Sequence, residues 1–141
     1  MSLKFSYSYV NDMLVRMAHH STAIEGNTLT EYEAKCILLD GMIPRAMHER
    51  EFYEVKNYKK YMGFLTNTYP NEITVQIIKD THSYLLQDIR EDKGAFKTVR
   101  NIIIGTDFMP TEPYLVPAEL KNWCHTLEYR LNISNTVEEK I

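Results

Sequence analysis

Ser21-Thr22-Ala23-Ile24-Glu25-Gly26-Asn27 joins two helical patterns, and the break inside it sets how the rest of the chain is organised. Upstream, Val10, Leu14, Met17 and Ile24 recur at helical spacing with Val15 and Ala18 beside them, which predicts a helix from Tyr7 to about Glu25. Gly26 is a natural stop, because glycine takes positive φ without steric cost. Thr30 and Glu33 then have capping-box spacing and open a second helix. Glu25 falls at a helix C-terminus, where the macrodipole disfavours negative charge by about 0.3–1 kcal/mol. Ser21 lies one turn back on the same face. The plain reading is a solvated helix-end glutamate. The other is a carboxylate that a cation from elsewhere would place better.

The bulk numbers bound what surrounds this stretch. A chain of 141 residues, 44% hydrophobic and 25% charged, suits one globular domain with a real core. A net charge of −3 gives no broad electrostatic footprint for DNA or RNA. A helix-turn-helix reading fails on the same ground, since the helix from Thr30 to Asp40 offers only Lys35 as a base. No apolar run is long enough to span a bilayer, and the N-terminal residues lack a signal-peptide hydrophobic region. Cys36 and Cys124 fall in helical patterns and read as buried thiols rather than a disulfide. The expectation is a cytoplasmic protein with no membrane or nucleic-acid partner.

The expected order is mainly α. A second helix runs from Thr30 to about Asp40 and is closed by Gly41, and a third runs from about Arg45 to Leu65. Phe52, Val55, Tyr58, Met62 and Leu65 form the core stripe of the third helix. Asn67 to Asn71 reads as a turn broken by Pro70, and a fourth helix spans Glu72 to about Ile89. Pro117 opens a fifth with Leu120, Trp123, Leu127 and Leu131 as its stripe, and Thr136 with Glu139 caps the start of a sixth. No two histidines stand at the i, i+4 spacing that suits a metal on a helix, and adjacent His19 and His20 point to different faces, so no metal site is predicted. His82, beside leucines and without an acidic or nucleophilic neighbour in sequence, reads as a structural histidine.

Between the fourth and fifth helices the pattern changes. Val99 to Ile104 is a β-branched run ending at Gly105 and reads as a strand. Phe108 to Val116 returns as a second, in which Pro110 and Pro113 confine the pair to an edge or an irregular hairpin. Such a hairpin either caps the helical bundle or offers its open edge to an extended segment of another chain.

Ser21-Thr22-Ala23-Ile24-Glu25-Gly26-Asn27-Thr28-Leu29-Thr30 closely resembles the inhibitory motif, Ser/Thr-x-x-x-Glu-Gly/Asn, of Fic-family proteins, which transfer AMP from ATP to protein hydroxyls. Glu54-Val55-Lys56-Asn57 is similar to the E-V-x-N pattern that follows it, although Glu54 and Asn57 are equally a surface pair one turn apart. His82-Ser83-Tyr84-Leu85-Leu86 resembles the family's H-x-x-L-L. Gly94-Ala95-Phe96-Lys97 with Asn101-Ile102-Ile103-Ile104-Gly105 resembles its flap, with Lys97 where arginine is common.

The resemblance implies a Fic-like helical bundle with one β-hairpin flap at about 94–116. It implies an inhibitory site at Ser21, Glu25 and Gly26, whose glutamate pairs with an active-site arginine and displaces the γ-phosphate of ATP. It also implies a protein substrate docked along Asn101, Ile102, Ile103, Ile104 and Gly105. ATP and magnesium belong to the intact family enzyme, and a homo-oligomer is compatible with it.

The family's signature, H-P-F-x-D/E-G-N-G-R-x-x-R, is not in the sequence: no histidine precedes a proline and there is no Gly-Asn-Gly. That motif supplies the base, the anion cradle and the arginine. The expectation is therefore an inhibitory region at 1–29, followed at 30–141 by the N-terminal part of a Fic-like domain truncated before its catalytic motif, whether by processing or in the gene. Alone it is expected to have no catalytic residues, to bind no cofactor and to transfer no AMP. The alternatives are a stand-alone, antitoxin-like inhibitor of a separate Fic enzyme and a helical protein-binding module.

Overall fold

Helix boundaries in the computed structural model, which describes residues 6–68 and 72–133, follow local capping chemistry closely. α1 (Tyr7–Ile24) starts after Ser6, whose hydroxyl accepts from the Tyr9 N–H at 3.3 Å. α2 (Glu31–Lys35) carries the predicted capping box in full: Glu33 N–H donates to Thr30 Oγ1 at 3.2 Å, and Thr30 N–H to Glu33 Oε2 at 2.9 Å. The second half of the predicted helix widens into a π-helical turn, Cys36–Asp40, closed by Gly41 at φ +67° as Met42 N–H donates to the Cys36 carbonyl at 3.0 Å.

α3 (Glu49–Thr68) begins later than expected, because Arg45 is used in the preceding loop, where it bonds Glu33. Asn67 and Thr68, expected in a turn, are its last residues, and 69–71 lie outside the described residues. α4 (Val75–Leu85) is shorter than the predicted Glu72–Ile89. Thr74 Oγ1 accepts from Ile77 N–H at 3.2 Å and so fixes its start. At the other end, turns replace helix over 86–89, where Asp88 takes φ +61°. Asn57 satisfies the carbonyls released there, donating to Leu85 O at 3.0 Å and Gln87 O at 2.6 Å. α5 (Val116–Ile133) contains Pro117 in its first turn. The helix expected from Thr136 lies outside the described residues.

The class is mainly α. The β-hairpin expected over 94–116 is corrected: no strand forms among the described residues. Pro110 and Pro113 contribute no N–H to a ladder, and two strands alone are marginal in water. Ile102, Ile103 and Ile104 are all exposed, the last at 93%, so no buried face sets a register. Side-chain contacts hold this segment instead. Arg100 Nη2 lies 2.5 Å from Glu112 Oε1, Thr111 donates to Glu119 Oε2 at 2.8 Å, and Lys79 Nζ stands 5.1 Å over the Phe96 ring.

The chain divides into two units, Met1–Tyr69 with Thr81–Lys93, and Pro70–Asp80 with Gly94–Ile141. The core of the first is built from α1 (Leu14, Val15, Ala18), Leu29, α2 and its π-turn (Ala34, Ile37, Leu38), and α3 (Val55, Tyr58, Met62). Val55, Tyr58 and Met62 are stripe positions read from the sequence, whereas Leu65 from that stripe is exposed. In the second unit Cys124 is the buried residue of α5. Leu120, Leu127 and Leu131 are half-buried, and Trp123, expected in a core stripe, is 51% exposed. No helix among the described residues is long and apolar enough to cross a membrane.

Candidate functional site

The end of α1 is a Schellman motif. Gly26 N–H donates to Ala23 O and Asn27 N–H to Thr22 O, both at 3.0 Å, with Gly26 at φ +93° in the position that needs a left-handed residue. Thr22, buried beneath this turn, donates its hydroxyl to Ala18 O at 2.8 Å. Glu25 is the C-cap, with φ −87° and ψ 6°. Its side chain is exposed and has no hydrogen bond or ion pair with the other described residues. An anion is therefore held at the negative end of a helix dipole with its oxygens turned to solvent.

Ser21, half-buried one turn back, lies near enough to Tyr58 of α3 to act on its phenol. Burial pushes the Tyr58 phenol above its ordinary value; the Ser21 contact acts the other way, while Tyr61 and the Glu25 charge add to the rise. Ser21, Glu25 and Gly26 thus share one helix end, with Tyr58 behind it.

The residues after the motif are tied to α3. Asn27 Nδ2 donates to Glu51 O at 3.1 Å and to Glu54 Oε2 at 3.0 Å, while its Oδ1 accepts from Leu29 N–H at 3.0 Å. Thr28 donates both its N–H (2.9 Å) and its hydroxyl (2.7 Å) to Glu51 Oε1. Arg45 joins this set to α2, with Nε on Glu33 Oε1 at 2.7 Å and Nη2 on Thr28 Oγ1 at 3.3 Å. These donors hold Glu51 below the usual carboxylate range, the Thr28 hydroxyl most of all.

Neither member of E-V-x-N is a solvated surface residue. Glu54 bonds Asn27 and Arg50, and buried Asn57 caps the end of α4. Sequence reading did not find Asn27, Glu51 and Arg45 as a network. The one local signal was Asn27 itself, a polar residue at the position after the αL glycine where a Schellman motif usually carries an apolar side chain.

Asn101, Ile102, Ile103, Ile104 and Gly105 lie in the second unit as exposed chain without strand pairing among the described residues, Gly105 at φ +84°. Arg100 is engaged with Glu112. His82, in α4, is close enough to Asp92 to help Arg90 lower its carboxyl, and Arg90 grips Asp92 through two bonds at 2.7 and 2.6 Å. Among the described residues, no group of three or more His, Cys, Asp or Glu is placed to hold a metal ion.

What the α1 terminus can do chemically is accept: it offers an exposed carboxylate to a cation, with the Ser21 hydroxyl and the Tyr58 phenol nearby. Set against protein-family models the chain has no match, and no curated protein matches it.

Proposed function

We propose that this chain is the regulatory and target-docking portion of a Fic-type AMP transferase, with Glu25 the carboxylate that holds transfer in check. In this reading α1 brings Glu25 to an arginine of the catalytic segment, in cis or in trans, and occupies the place the γ-phosphate of ATP would take. ATP and magnesium are held by that segment. The observation that carries the reading is the presentation of Glu25: an exposed carboxylate at a helix end with no ion pair among the described residues, so that a guanidinium would meet it without first breaking one of theirs.

The helices of the first unit are then the regulatory side of a Fic-like bundle. Asn101 to Gly105 form the docking segment, whose exposed isoleucines and backbone without strand pairing among the described residues suit main-chain pairing with a target protein. Buried free thiols at Cys36 and Cys124 favour the reducing cytoplasm as the place of action.

The test is the initial rate of AMP transfer from labelled ATP to protein, measured with this chain and its catalytic segment together. Glu25→Gly is expected to raise the rate roughly tenfold or more, the scale of one charge-assisted hydrogen-bonded pair lost to the inhibited state. An unchanged rate would make the inhibitory assignment wrong.

A further inference from the structure

We infer that a polar clasp between the loop after α1 and helix α3, made by Asn27 and Thr28 on Glu51 and Glu54, sets the direction in which Glu25 is presented. Asn27 and Thr28 are then positioning residues for the inhibitory carboxylate, an assignment that rests on the reading of Glu25 above.

The geometry leaves this work to the clasp. Ile24 and Glu25 are both exposed, so no packing of their own side chains orients the last turn of α1. A Schellman motif usually gains an apolar contact across its two ends, but here the corresponding residues are Thr22 and Asn27. Asn27 instead grips in two directions at once. Its backbone N–H holds the Thr22 carbonyl of α1 at 3.0 Å, while its side chain holds the Glu51 carbonyl and the Glu54 carboxylate of α3 at 3.1 and 3.0 Å. It is 8% exposed, and its side-chain oxygen is also used, by Leu29 N–H.

Thr28 adds a second grip on α3 by placing its N–H and its hydroxyl on the same Glu51 oxygen. Arg45 backs it from the far side, bridging Thr28 and Glu33. Gly26 is the sole residue between this anchored pair and Glu25, and its φ of +93° fixes the turn between them. Thr22 is buried under the turn, but neither Ile24 nor Glu25 packs, so the Glu25 side chain takes its direction from the turn that residues 27 and 28 anchor.

The experiment combines Asn27→Ala with Glu25→Gly in the protein assembled with its catalytic segment, reading AMP transfer and amide hydrogen exchange over residues 26–29. Asn27→Ala is expected to raise transfer roughly fivefold when Glu25 is present and to add nothing when it is glycine, the non-additivity of two residues acting through one contact. Exchange at 26–29 should speed up in Asn27→Ala whatever occupies position 25.

If Glu25→Gly activates and Asn27→Ala does not, or if Asn27→Ala changes both backgrounds alike, the positioning role is overturned. A silent Glu25→Gly brings down the inhibitory reading, and with it the role of positioning an inhibitor, while the exchange data separately decide whether the clasp holds the loop. Thr28→Val, at the exposed rim, repeats the cycle should Asn27→Ala fail to fold.

Discussion

At Gly26 the structure separates two costs that substitutions usually mix. A Cβ built there would meet no atom within 4 Å beyond its immediate chain neighbours, yet φ is +93°. Replacement is therefore penalised by backbone conformation alone. Gly26→Ala is predicted to lower stability by about 1–2 kcal/mol through the left-handed region that L-residues avoid. Urea unfolding checks this, and a midpoint equal to the parent's would contradict it.

Glu25 and Gly26 were legible in the sequence because a helix stop is local chemistry, written in adjacent residues. Asn27 and Asn57 were not. Their partners, Glu51, Glu54, Leu85 and Gln87, lie 24 to 30 residues away, and periodicity carries no information about which distant carbonyl a buried amide will meet. Both asparagines are buried only because those partners exist.

Among the elements, α2 and the loop before it respond to acid in a defined direction. The Thr30 N–H, then Arg45, holds the Glu33 carboxyl below its ordinary 4.5, and the Thr28 hydroxyl and N–H do the same for Glu51. Both folded-state values lie below those of the unfolded chain, so the unfolded chain takes up protons first as pH falls. The stability these groups give is fully present above 4.5 and is lost as pH drops through the lowered values. The thermal midpoint should thus fall below 4.5, less so in Glu51→Gln and less at high salt, as befits solvent-screened groups. A midpoint whose acid dependence is the same in Glu51→Gln would show that Glu51 contributes nothing to it.

Element boundaries divide the same way between local and distant causes. The capping box of α2 and the Gly41 stop were readable, since each is complete within a few residues. The segment from Val99 to Ile104 has strand composition, but composition supplies no partner, and the two prolines that follow remove the donors one would need.

For the whole molecule, helical periodicity gave the class and most of the core of the first unit, where α1, α2 and α3 bury the faces their patterns mark except at Ile24 and Leu65, which are exposed. In the second unit the pattern of α5 says which face is apolar and not how far it is covered, which is why Trp123 was expected in a core and is exposed. Function follows the same division. The helix stop at Gly26, on which the proposed function rests, was readable, and the hydrogen bonds from Asn27 and Thr28 to α3 needed the fold.

In the proposed reading Glu25 takes the place of the γ-phosphate of ATP. It is tested most directly by titrating ATP and ADP into the chain assembled with its catalytic segment, in the parent and in Glu25→Gly. Glu25→Gly is expected to shift the ratio of the two affinities toward ATP by roughly tenfold, since only ATP has the group with which Glu25 competes. The same ATP-to-ADP ratio in both proteins would contradict it.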